Sequence, residues 1–233
     1  MIKFGNVELT DVANVKIEDV VVSPIRLNPI ARGRSIKFGE EFVRQKGGTR
    51  TVTITFAMLE SDTAERERQM LALRGWAFSE TEKTIVLPQF EDKHLECICT
   101  AFPDHSYRKW WENKLRLVFE CFNNPFWTSN DLIEVPCGGV FSIGGTAQPL
   151  MTIERTGFAA LTEQAYATAT ESMVFSTIPA GSLVIDLNRQ TAAIGNTSIM
   201  QYYKPSSTWI VPKIGANQYI NGEGTVKYRE RWL

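Results

Sequence analysis

The chain has 233 residues, of which 43% are hydrophobic and 22% charged, with a formal net charge of -1 at pH 7. This length suits one large or two modest domains with an ordinary buried core. The near-neutral balance gives no support to general nucleic-acid binding. No apolar run approaches the roughly 20 residues that span a bilayer, and Met1–Asn6 lack the hydrophobic core of a secretory signal, so export by that route is not expected.

Residues 1–60 read as short strands. Val20–Val22 stop at Ser23-Pro24, and Lys46-Gly47-Gly48 turns into a run from Arg50 to Phe56. That run alternates, with Val52, Ile54 and Phe56 inward and Thr51, Thr53 and Thr55 outward. Arg26, Arg32, Arg34, Lys37, Arg44, Lys46 and Arg50 make the first fifty residues basic. This describes a solvated face or, more sharply, a patch for an acidic neighbouring subunit. A helix is predicted over 63–78. Asp62 and Glu65 are spaced as a capping pair, Met70, Leu73 and Ala77 share a stripe with Leu71 beside it, and Glu65, Arg66, Glu67 and Arg68 crowd the first turns.

Strands resume at Thr84–Leu87, Leu95–Cys99 and Leu115–Phe119, and Asn123-Asn124-Pro125 is a sharp stop. From about Leu132 glycines at 138, 139, 144, 145 and 181 punctuate short apolar segments such as Leu150–Ile153, Met173–Phe175 and Leu183–Ile185. The Ala/Thr-rich stretch 159–169 reads as strand and loop, because its apolar 3.6-residue spacing is weak. Regular short strands with Gly/Pro turns suggest a mainly β chain with a β-sandwich after a boundary near 130. Asn217–Ile220 and Thr225–Leu233 then read as a closing hairpin around Asn221-Gly222-Glu223-Gly224. Alternation in the last strand puts Val226, Tyr228, Glu230 and Trp232 on one face, and Lys227, Arg229, Arg231 and Leu233 on the other. Tyr228 and Trp232 are expected as core anchors. The cations are expected on a solvated face or against an acidic neighbour.

Few residues point to chemistry. Cys97, Cys99, Cys121 and Cys137 read as free thiols, since a chain of this size needs no staples. His94, Cys97, Cys99 and His105 have ligand types that suit zinc, but Cys-x-Cys on a strand is not the usual turn and no second ligand pair follows, so no metal is expected. A nucleophile elbow, a P-loop and a dinucleotide fingerprint are all missing from the sequence. Neither an enzyme nor a cofactor is expected. Of the neighbours Trp110 and Trp111, one should face inward and the other outward if they lie on a strand, the outward one suiting a subunit interface. Arg32, Arg34, Arg50, Trp110 and Trp111 are therefore the candidate interface residues.

Four segments together resemble the distal tail protein (Dit) family of long-tailed bacteriophages and prophages. They are Leu71-Ala72-Leu73-Arg74-Gly75-Trp76 followed by Lys83–Leu87; Leu115–Trp127 with its Asn123-Asn124-Pro125-Phe126 corner; Gly144–Pro149 with Gly181–Asp186; and Ile214–Asn217 followed by Tyr228–Trp232. The resemblance implies an N-terminal β-sandwich with one helix and an extended hairpin over 1–130, forming a hexameric ring, and an outer galectin-like β-sandwich over 131–233. It implies a virion component at the tail tip, made in the host cytoplasm. Its partners would be the major tail tube protein, the tape measure protein and a tail-associated lysin or tail-tip protein, with DNA passing unbound through the channel and no membrane contact. Glu60, Asp62, Glu65 and Glu67 are candidate channel-lining residues, because acidic walls would not hold phosphate. The alternative is a galectin-like carbohydrate-binding module for the host surface, for which Trp209 and Tyr202-Tyr203 are the candidate platform.

Overall fold

A computed structural model describes residues 1–33, 40–102 and 114–233, with backbone alone for 27–33 and 40–47. The chain is mainly β and divides into two compact units, Met1–Trp127 with Leu233, and Thr128–Trp232.

In the first unit the strands are Lys3–Phe4 (β1), Val7–Glu8 (β2), Val15–Val22 (β3), Leu27–Gly33 (β4), Glu40–Gly47 (β5), Arg50–Met58 (β6), Lys83–Leu87 (β7), Phe90–Ala101 (β8) and Leu115–Cys121 (β9). A single helical turn, Leu9–Val12 (α1), and the helix Thr63–Ala77 (α2) complete it. The strands run antiparallel in the order β2-β1-β7-β8-β9-β6-β3. β8 bends this layer, pairing β7 through Phe90–Cys97 and β9 through Ile98–Ala101. Among the described residues β4 and β5 pair with each other alone.

The period-2 pattern of β6 buries Val52, Ile54 and Phe56 completely, as its sequence predicts. α2 covers this layer with Met70, Leu73 and Ala77. Leu71, beside that stripe, remains 68% exposed. Trp76 closes the contact, its ring edge-on to Phe4 at 5.7 Å and to Phe119 at 6.3 Å, with its indole N–H donating to the Val7 carbonyl at 3.0 Å. The Asn-Pro stop after β9 is held by Glu82, whose carboxylate accepts from the Phe122 and Asn123 amides and from the Asn123 side chain.

Trp127–Ser129 (β10) spans the division. The second unit then contains Ile133–Pro136 (β11), Val140–Ile143 (β12), Ala147–Phe158 (β13), Leu161–Ala167 (β14), Ser172–Ile178 (β15), Gly181–Asp186 (β16), Thr191–Ile194 (β17), Thr197–Ser198 (β18), Gly215–Tyr219 (β19) and Thr225–Trp232 (β20). One antiparallel sheet runs β18-β17-β16-β13-β20-β11. The ladders β12·β19 and β14·β15 face it across a shared core. That core takes Phe141 and Ile143 from β12, Tyr166 from β14 and Phe175 from β15 on one side. Ile153, Ile185, Val226 and Tyr228 come from the other side, the arrangement of a β-sandwich.

Two features of the closing segment differ from expectation. Residues 217–220 and 225–233 do not form a hairpin. β19 pairs β12, and β20 lies between β11 and β13, so Asn221–Gly224 carries the chain from one layer to the other. The glycines serve close approach there. A Cβ on Gly222 would stand 2.5 Å from the Tyr166 ring, and one on Gly224 would stand 2.4 Å from the Glu154 carbonyl oxygen. The second correction concerns Trp232. Tyr228 is 3% exposed and its hydroxyl donates to the Ser142 carbonyl at 2.9 Å, whereas Trp232 is half-buried and outside the core cluster. The buried alternation of β20 stops at Tyr228, and Glu230 instead accepts from the Gly144 amide at 2.6 Å. A register shift between Ala147 and Leu150 of β13 faces this end of β20, and it breaks the period that the sequence implied.

Candidate assembly surfaces

The acidic group lies at the start of α2, where the helix macrodipole favours negative charge. Asp62 is the N-cap, accepting from the Glu65 amide at 2.8 Å. Glu60 accepts from the Ser61 and Asp62 amides. Glu65 does not return to the Asp62 amide as a reciprocal box would. Its carboxylate takes the Arg68 guanidinium (Nε at 2.8 Å) and the Gln69 amide, which hold its pKa down at about 2. Glu67 is half-buried on the same helix. The four carboxylates are thus grouped, but much of their charge organises the helix start.

Of the candidate interface residues, Arg34, Trp110 and Trp111 lie outside the described residues, and Arg32 is described by its backbone in β4. His105 is outside them as well, and among the described residues no three metal-ligand side chains come together. Arg50 corrects the expectation of a surface cation. It opens β6 opposite Cys121 of β9 and is 4% exposed. Its guanidinium carbon lies 6.0 Å from the centre of the Trp127 ring, which itself packs on Phe90 at 4.7 Å. Nε and Nη1 have no hydrogen-bond partner among the described residues, and desolvation lowers the pKa of the group. Beside it opens a pocket of about 540 Å³, lined also by Val22, Ser23, Pro24, Ile25, Phe90, Trp127 and Leu233. Sequence reasoning missed this site. The signal available was an arginine at an inward position of an otherwise alternating strand, two residues before Val52.

The cations of β20, expected on a solvated face or against an acidic neighbour, bond within the chain. Lys227 bridges Glu134 at 3.1 Å and Glu154 at 3.0 Å on its two neighbouring strands. Arg229 donates to the Ser129 carbonyl at 2.9 Å and Arg231 to the Gln148 carbonyl at 2.7 Å. The aromatic platform of Tyr202, Tyr203 and Trp209 is half-buried against the core. Tyr203 packs between Phe175 and Trp209, each at 5.6 Å. The Tyr203 hydroxyl donates to the Ser207 carbonyl and the Trp209 indole to the Leu187 carbonyl. The second unit does have a cleft of about 150 Å³ between Thr168–Glu171, Ile210–Lys213 and Asn217–Ile220. Its carboxylate, Glu171, already pairs with Lys213 at 3.4 Å.

All four cysteines are free thiols. Cys97 and Cys121 are buried and hydrogen-bond to each other, which raises the Cys97 pKa together with burial. Burial pushes Cys99 and Cys137 up to about 11, so neither is poised as a thiolate.

No family model matches the sequence, and no curated protein does. Solved structures do match. The phage P2 baseplate in its activated conformation aligns over 95% of this chain and 91% of that one at 9% identity with a TM-score of 0.48. The Dit protein of SPP1, described as a paradigm of the hub adsorption apparatus in phages infecting Gram-positive bacteria, aligns over 100% of this chain and 98% of its own at 14% identity. With a TM-score of 0.77 over that full length, the chain has the fold of the SPP1 Dit protein.

Proposed function

We propose that this protein is a structural hub of a bacteriophage tail, working as a distal tail protein. The observation that carries the reading is the likeness to SPP1 Dit from end to end of both chains, covering both units. In this reading the first unit forms a ring, six copies around a channel, and the second stands outside it as a galectin-like sandwich. The ring joins the major tail tube protein to a tail-associated lysin or other tail-tip protein, with the tape measure protein and then DNA occupying the channel. The location is the virion tail tip.

Such a hub holds its neighbours by repeated heterologous contacts that close at a fixed rotation, and it needs no catalytic centre. Glu60, Asp62, Glu65 and Glu67 are assigned to the channel side, where carboxylates repel phosphate. Arg68 offsets part of that charge. For the carbohydrate-binding alternative, the platform residues Tyr202, Tyr203 and Trp209 are half-buried, and Tyr203 and Trp209 bond within the second unit, which favours the hub reading.

Native mass measurement of the purified chain, alone and mixed with the tail tube protein of the same phage, tests the reading. Six copies of the 26.3 kDa chain weigh about 158 kDa. A species of that mass, or a larger complex containing six copies, is expected. A monomer under both conditions overturns the ring.

A further inference from the structure

We propose that Cys97 and Cys121 are a latent cross-strand disulfide, held as two thiols while the hub is assembled and closed by a peroxide-class oxidant once the particle is outside the cell. The site is the joint that β8 makes in the first unit. β8 pairs β7 as far as Cys97, opposite Lys83, and pairs β9 from Ile98, opposite Glu120. Continued by one residue, the β8·β9 register sets Cys97 opposite Cys121. Both side chains are fully buried, and the two thiols hydrogen-bond to each other. Opposed residues of an antiparallel pair have Cα atoms roughly 4.5–5.5 Å apart, within the roughly 4.4–6.8 Å that a disulfide spans. The other two cysteines have no such place. Cys99 lies opposite Phe119 with its thiol on the Ala101 carbonyl at 3.5 Å, and Cys137 belongs to the second unit.

The joint has a use for such a bond. Among the described residues three residue pairs join β8 to β9, and the register shifts between Cys99 and Ala101. A disulfide here closes a loop of about 25 residues across that joint and so removes chain entropy from the unfolded state. Hydrogen peroxide balances the reaction. Its O–O bond breaks as one sulfur takes an oxygen and becomes a sulfenic acid, with water released. The second thiol then attacks that sulfur, the S–O bond breaks, and the hydroxyl leaves with the thiol proton as a second water. Two thiol hydrogens and two electrons have passed to one peroxide molecule, which is small and neutral enough to reach a buried pair. The hydrogen bond to Cys121 and burial raise the pKa of Cys97, so the pair reacts slowly. That slowness suits a single lasting change rather than a repeated signal. The moment of closure, on leaving a reducing cytosol, rests on the hub reading; the bond itself does not.

The test uses the full chain. The folded protein is treated with hydrogen peroxide, its remaining thiols are blocked with N-ethylmaleimide in urea, and it is digested without reductant for mass spectrometry. A fragment joining Cys97 to Cys121 is expected in most molecules, and it should separate on adding dithiothreitol. Recovery of these two cysteines as blocked thiols or as sulfinic acids overturns the proposal. A second measurement asks whether the fold prepares the bond. The chain is equilibrated in mixtures of reduced and oxidised glutathione, once folded and once in urea, and the same fragment is quantified. The effective concentration of one thiol toward the other should be at least about tenfold higher in the folded chain, because a bond that fits the native geometry stabilises the native state by the same factor. An equal or lower value in the folded chain overturns the proposal. Failure here leaves the ring mass untouched. A missing ring leaves both thiol measurements untouched and removes only the moment of closure.

Discussion

The two units differ at one buried polar group. In the second, the polar ends of buried or half-buried aromatics find an acceptor close by. Tyr166 donates to the Glu223 carbonyl, Tyr228 to Ser142, Tyr203 to Ser207 and Trp209 to Leu187. In the first, Arg50 is buried and its Nε and Nη1 have no hydrogen-bond partner among the described residues. These four bonds stay inside the second unit. Desolvation works against the charge of this guanidinium, and the Trp127 ring faces it at 6.0 Å.

The largest effects should come from breaking the second unit. Tyr228→Ala removes a core ring and should lower unfolding free energy by about 3–5 kcal/mol, measured by urea denaturation. Tyr228→Phe keeps the ring, leaves the Ser142 carbonyl without its donor and should cost about 1–2 kcal/mol. If both variants cost the same, the hydroxyl rather than the packing dominates, and the contrast between the units sharpens.

Gly145→Ala is next in size. Gly145 has φ +86°, and a Cβ there would stand 2.2 Å from the Arg231 carbonyl oxygen, a backbone atom that cannot swing aside. About 1–3 kcal/mol of backbone strain is expected, with local displacement of β20 visible in amide exchange of residues 225–232. Trp232→Ala should cost about 1–2 kcal/mol, less than Tyr228→Ala, because Trp232 is only half-buried. A loss equal to that of Tyr228 would place Trp232 in the core after all.

The smallest effects belong to the start of α2. Asp62→Ala removes the cap and should cost about 1 kcal/mol. Glu65 has its pKa lowered by Arg68 and Gln69 to about 2. A depressed carboxylate contributes stability above its unfolded value, near 4.3, and that contribution fades as pH falls through about 2. A carboxyl ¹³C titration should give a midpoint near 2 for Glu65, moving up toward the ordinary value in Arg68→Ala. An unshifted midpoint in the parent chain would mean that the Arg68 bond does not persist in solution.

Much of the first unit was legible because local pattern and tertiary role agree. The alternation over 50–56 buries the residues it marks, Asp62 caps the helix it precedes, and Pro125 follows the last strand before the division. The closing segment was less legible, because Asn-Gly beside alternating residues describes a hairpin and a layer crossing equally well. Only the partners of β19 and β20, dozens of residues away in sequence, decide between them. Arg50 failed for a similar reason. Charge in a sequence predicts exposure, and the few cations that are buried are recognisable only once their surroundings exist. Trp232 shows that a one-face pattern lasts only as long as its neighbouring strand keeps register.

The position of β20 has a consequence for how the molecule is made. It is the last strand of the second unit to be synthesised, yet it fills the gap between β11 and β13, which precede it by some of the longest separations in that unit. Until it emerges from the ribosome, both of those strands present open hydrogen-bonding edges, and the sheet cannot close. Biogenesis of this unit therefore waits on its final few residues. A nascent or prematurely terminated chain would offer two sticky edges to other copies instead of one finished sandwich.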